Sequence, residues 1–204
     1  MPVSANKRTP PSKGKLLYHI THLDNISSIL EHGLMSRRAL LQNNLCDFKD
    51  IADPEILNKR ETYKNALSQY VLFHFYSKNP FDGAVCKKYG SENMAIITIW
   101  RDDHEKNDFF IIPSHPLDRD EPDIYPYEEG IKLIKWDILD REMGRDYRDP
   151  EIRKACMAEC IMNYVIPAEA FAYVYVSTEY AKSRILRMNY SDKISIRVNP
   201  HMFP

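Results

Sequence analysis

The sequence predicts an α+β fold built on a mostly antiparallel sheet. Three observations point there. Short β-rich runs such as "YVLFHF" (70–75) and "MAIITIW" (94–100) are scattered along the chain. Helical segments fall between them without a regular βαβ alternation. No internal repeat is visible.

The elements follow in order. Residues 1–15, "MPVSANKRTPPSKGK", read as a basic, mobile leader without the apolar core of a signal peptide. Residues 16–204 read as one domain, long enough to bury its own core. Leu16 to Thr21 is a short strand. Asp24 or Asn25 is placed to cap a helix with Ile26, Ile29 and Leu30 on one face, and Gly33 sits where a left-handed stop is wanted. Asp53 and Pro54 start a second helix. Tyr70 to Phe75 is a central strand, and Met94 to Trp100 is apolar enough to be buried on both faces. From Asp102 to Glu129 the chain is an acidic surface excursion rich in proline, with "FFIIP" pairing nearby. "EIRKACMAECIM" starts helical and turns apolar, so that Cys156 and Cys160 could share a helix face. Strands at 170–177 and 193–198 flank a last helix at 178–186.

Composition excludes several classes. Net charge is −1 and the pI about 6.7, so charge alone does not mark a nucleic-acid binder. No apolar run approaches the roughly 18 residues of a membrane span, and the cytoplasm is expected. Cys46, Cys86, Cys156 and Cys160 make no CxxC pair, so free thiols and no metal are expected. The glycines at 14, 33, 83, 90, 130 and 144 build neither GxGxxG nor a P-loop, and no GxSxG or HExxH occurs.

The chemistry concentrates at "LLYHITHLDNISSILEHGL". Strand alternation puts His19 and Thr21 on one face, with Tyr18 and Ile20 on the other. An imidazole offers a donor and an acceptor to a ribose hydroxyl, or it serves as a structural group at a strand end. Glu159 is a lone carboxylate among Ala158, Cys160, Ile161 and Met162. Arg60 lies in "NKRE", where an arginine is often a helix-surface pair.

These motifs resemble the DarT-type ADP-ribosyltransferase toxins, which modify nucleobases. "YHITHLDNISSILEHGL", "IADPEILNKRE", "YVLFHFYSKNPF", "KACMAECIMNYVIP", "AYVYVS" and "ISIRV" follow in that family's order from about Leu16 to Val198. The resemblance implies an ADP-ribosyltransferase-like fold with a split sheet, and NAD as co-substrate. It implies Glu159 as the carboxylate beside the ribosyl cation and Arg60 as the arginine that positions or activates the acceptor base. His19, Thr21 and Asn25 fall on the NAD-holding positions. His74 replaces a tyrosine used near the nicotinamide or the acceptor, where a histidine can stack or take a proton. Leu72, Ser77 and Lys78 also depart from the family pattern and leave the target base open. The loop from Asp140 to Ala155, with Arg145, Tyr147 and Arg148, falls on the substrate-recognition loop. Single-stranded DNA, or RNA, is the implied partner, with a separate antitoxin. The alternatives are an RNA 2′-phosphotransferase-like enzyme, which needs several arginines, and an inactive nucleic-acid-binding module.

Overall fold

A computed structural model describes residues 9–43, 48–63, 67–105, 108–118, 121–141 and 145–204. The strands are β1 (Leu16–His22), β2 (Val71–His74), β3 (Met94–Trp100), β4 (Phe110–Ile112), β5 (Tyr125–Pro126), β6 (Glu159–Met162), β7 (Tyr173–Val176) and β8 (Ile196–Val198). The helices are α1 (Ile26–His32), α2 (Arg37–Asn43), α3 (Pro54–Thr62), α4 (Pro80–Tyr89), α5 (Tyr127–Gly130), α6 (Trp136–Leu139), α7 (Pro150–Ala155) and α8 (Glu179–Leu186).

The strands form one sheet in the order β5-β4-β6-β2-β1-β3-β7-β8. Neighbours run antiparallel except β7 and β8. β1 and β3 pair along their whole length, from Leu16↔Trp100 to His22↔Met94. β1 and β2 meet at a single position, Tyr18↔His74. On its far side β2 pairs with β6 from Val71↔Met162 to His74↔Glu159. The sheet is thus split between β1 and β2.

The main core lies on one face. Leu17, Phe73, Ile97, Cys160 and Val174 are all buried there. α1 adds Ile26, Ile29 and Leu30, the one-sided spacing its sequence shows. Gly33 ends α1 at φ +82°, and a Cβ there would meet Val165 Cγ1 at 2.7 Å and the Ile166 carbonyl oxygen at 2.9 Å. Glycine is required at that point by both conformation and space. β3 is buried along nearly its whole length, as its almost wholly apolar run predicts.

Three expectations are revised. Neither Asp24 nor Asn25 caps α1 through its side chain; the His22 ring accepts the Asp24 N–H at 3.2 Å instead. Cys156 ends α7 while Cys160 lies in β6, so they share no helix face. Glu159 accordingly opens a strand. The thiols of Cys86, Cys156 and Cys160 are free and buried, and Cys46 lies outside the described residues. Of the leader, residues 1–8 also lie outside. Pro11–Lys13 form a short turn in which Pro11 is buried and the Ser12 N–H donates to Asp140 at 2.9 Å. The late basic residues are largely engaged: Arg184 pairs with Asp24, Lys193 with Glu169, and Arg197 stacks on Tyr173. No helix among the described residues is long and apolar enough to cross a membrane.

Candidate active site

The split in the sheet opens a cavity of about 320 Å³. Cross-strand partners share a face of a sheet, and successive residues alternate. Tyr18, His74 and Glu159 are in line across β1, β2 and β6, so the His74 and Glu159 side chains share the face opposite the main core. His19 follows the only rung that joins β1 to β2. It belongs to the core face but stands where the strands part. Its ring reaches across, and Nδ1–H donates to the Leu72 carbonyl at 2.8 Å. Residues of both faces therefore line one cavity.

Glu159 is 2% exposed and Arg60 9%. Arg60 projects from the last turn of α3, and its Nη1 and Nη2 donate to Oε1 and Oε2 of Glu159, each at 3.1 Å. A buried carboxylate needs a counter-charge, and a two-pronged guanidinium supplies it while fixing the carboxylate plane. The surface-pair reading of Arg60 is therefore replaced by a buried pair that joins α3 to β6.

Burial pushes the His19 imidazole down to about 4, against the Leu72 carbonyl that favours the charged form. The ring is neutral at neutral pH. Because Nδ1 carries the hydrogen, Nε2 presents a lone pair. His74 is 2% exposed, and its Nδ1–H donates to the Ala158 carbonyl at 3.1 Å. Thr21 and Asn25 form a clamp rather than a free pair of ligands. Asn25 Nδ2 donates to Thr21 Oγ1 at 3.1 Å and to the Lys49 carbonyl at 3.0 Å, while its Oδ1 accepts the Lys49 N–H at 2.7 Å. This holds residues 48–52 over the cavity, where Phe48 and Ile51 join Leu40 and Leu57 in an apolar wall.

His115 also lines the cavity and was not legible as a site residue. Its Nδ1 accepts the Leu117 N–H at 3.0 Å, so the neutral ring turns an N–H outward at Nε2. Burial lowers its basicity, and Glu159 opposes that. The available signal was a histidine between Pro113 and Pro116, directly after an apolar strand.

Arg145, Tyr147 and Arg148 do not line this cavity. The Tyr147 hydroxyl donates to the Lys78 carbonyl at 2.8 Å, and Arg145 stacks over Tyr76 at 4.6 Å. Arg148 closes on Asp146 at 2.7 Å, which holds that carboxyl down to about 2. Residues 142–144 of the loop lie outside the described residues. The loop is moored to the turn that follows β2, where Lys78 takes φ +66° and donates its N–H to Asp82 at 2.8 Å.

Comparison with known proteins adds to this geometry. Residues 18–204 match the family described as "ssDNA thymidine ADP-ribosyltransferase, DarT". A DNA ADP-ribosyl transferase–DNA ADP-ribosyl glycohydrolase fusion protein of Thermosipho africanus is 25% identical over 192 residues, 92% of this chain. The chain spans 49% of that relative's length. Among solved structures, Thermus sp. 2.9 DarT in complex with ADP-ribosylated ssDNA superposes with a TM-score of 0.79 at 19% identity, covering 97% of this chain and all of that one. The same protein in complex with NAD+ gives 0.73 at 17% identity, covering 93% and 98%. With an eight-stranded, mostly antiparallel split sheet and a family match across nearly its whole length, the chain belongs to the DarT family.

Proposed function

We propose that the protein transfers ADP-ribose from NAD to a nucleobase of single-stranded DNA, releasing nicotinamide. One observation carries the reading: a buried carboxylate, Glu159, held by Arg60 and aligned with His74 in a cavity that His19 also enters. As the ribose C1′–nicotinamide bond lengthens, positive charge grows on the ribose. A fixed carboxylate in a largely apolar cavity stabilises that charge. The neutral His19 accepts a ribose hydroxyl at Nε2. The Asn25 clamp shapes the pocket through Lys49 and Thr21. Arg60 orients the incoming base and stabilises the negative charge that develops on it. The half-exposed loop with Arg145, Tyr147 and Arg148 guides the strand, its arginines toward phosphate.

The family description names thymidine, the Thermosipho africanus relative is described as a DNA ADP-ribosyl transferase fusion, and the Thermus relative is seen with ADP-ribosylated ssDNA, which supports DNA as acceptor. A toxin role, a cytoplasmic setting and a separate antitoxin that removes ADP-ribose or blocks the site belong to the same reading. A 2′-phosphotransferase needs several free arginines. Among the described residues those lining this cavity are only two, Arg37 and Arg60, and each already balances a carboxylate, Asp50 and Glu159. The transferase reading is favoured on that ground.

The deciding experiment supplies labelled NAD with matched single-stranded DNA and RNA oligonucleotides, each lacking one base in turn. Label on one polymer and one base, lost in Glu159→Gln, is the expected outcome. NAD binding without label on any polymer would refute the nucleic-acid acceptor.

A further inference from the structure

The proposed transfer leaves a proton to be placed. A nucleobase ring nitrogen that carries hydrogen attacks well only as that hydrogen departs. Arg60 is a guanidinium and has no lone pair to receive it. Glu159 has both oxygens on Arg60. Asp50 lines the cavity but is held by Arg37 through two nitrogens. His115 spends its lone pair on the Leu117 N–H. His19 has its lone pair at Nε2, and the transfer proposed above commits that nitrogen to a ribose hydroxyl.

That leaves one group. We propose that His74 is a catalytic residue of the transfer, receiving the ring N–H proton of the acceptor base on its Nε2. The inference rests on the nucleobase reading above. Nδ1–H is committed to the Ala158 carbonyl, so the neutral ring has its lone pair at Nε2. His74 lines the cavity and shares a rung with Glu159, so acceptor and ribose charge are handled side by side. Asp82 is also buried, at 3% exposure, and the two side chains interact electrostatically. A carboxylate there stabilises the imidazolium once it forms.

The step balances. The base N–H bond breaks and its proton bonds to His74 Nε2. The freed electron pair forms the bond from base nitrogen to ribose C1′. The C1′–nicotinamide bond breaks, its pair returns to the nicotinamide ring, and neutral nicotinamide leaves. The imidazolium then gives its proton to solvent.

His74→Asn tests this, because its amide N–H can replace Nδ1–H at the Ala158 carbonyl while nothing replaces the basic nitrogen. His74→Phe, which keeps the ring volume, is the second variant, and melting temperature reports folding of both. Transfer is measured on strands that differ at one position, thymine or 5-fluorouracil, whose ring N–H is more acidic. NAD affinity is measured by calorimetry. The expected result is a fall in transfer to thymine of at least about 100-fold with NAD affinity within about threefold, and a clearly smaller fall on 5-fluorouracil. Equal losses on both strands overturn the proposal. So does transfer within about threefold of wild type, or a loss of NAD affinity as large as the loss of transfer. Wild-type protein that labels no base in the dropout series above refutes the nucleobase reading itself, and the unmutated control separates that failure from the first.

Discussion

The two halves of the sheet are built differently. β1 and β3 share every rung from Leu16↔Trp100 to His22↔Met94, and β3 continues into β7 and β8. The other half, β5-β4-β6-β2, is made of shorter strands and meets the first at one rung. The long-paired half carries His19 and Thr21. The short-paired half carries His74 and Glu159. A cavity opens where pairing stops, and polar groups from both halves gather at the gap. Well-paired strands fill the space between them; a single rung leaves room for a ligand.

The most damaging way to test this contrast is at the short-paired half. Glu159→Gln removes the charge but keeps the shape, and transfer should fall roughly 10²–10³-fold or more in the labelled-NAD assay. Retained activity would detach the chemistry from β6. Arg60→Ala leaves a buried carboxylate unpaired and should cost about 3 kcal/mol or more in urea unfolding, with Arg60→Lys intermediate. A loss no larger than that of an exposed ion pair would mean that α3 and β6 are not joined as described.

The long-paired half is probed by pH. His19 drops from 6.5 unfolded to about 4 folded, so between those values the unfolded chain binds the extra proton and stability is lost as pH falls. Asp82 works the other way, rising from 3.8 to about 6, and partly cancels this in the wild type. The clean measure is therefore the variant difference. His19→Gln should gain stability relative to wild type by about 2–3 kcal/mol on going from pH 7 to pH 4. A difference that does not change with pH would refute the buried neutral ring.

Smaller effects are expected at the edges. Asn25→Ala releases Lys49 from the cavity rim and should cost about 1–2 kcal/mol, with weaker NAD binding by calorimetry. Arg148→Ala should leave the melting temperature unchanged, since among the described residues it pairs with the exposed Asp146 alone. Its effect should appear as a raised KM for the strand, largest at low salt.

Much of this was readable from the chain. The runs at 71–74 and 94–100 announce their strands because burial on both faces leaves almost every position apolar, His74 and Thr98 excepted. Glu159 stands out as a charge in an apolar run. What periodicity cannot supply is distance across the fold. Asn25 reads as a cap because its true partner, Lys49, lies in a loop 24 residues on. Arg60 reads as a surface residue because Glu159 is far along the chain. His115 hides in an acidic excursion that looks merely solvated.

The rung between His74 and Glu159 also bears on biosynthesis. β2 meets β1 at one rung only and finds its longer partner when β6 has left the ribosome, most of the chain having been made before it. Neither the carboxylate nor its guanidinium can be seated before then. A nascent or truncated chain that stops short of β6 has the cavity's first wall but not the carboxylate that Arg60 pairs with, so the completed site arises late in synthesis.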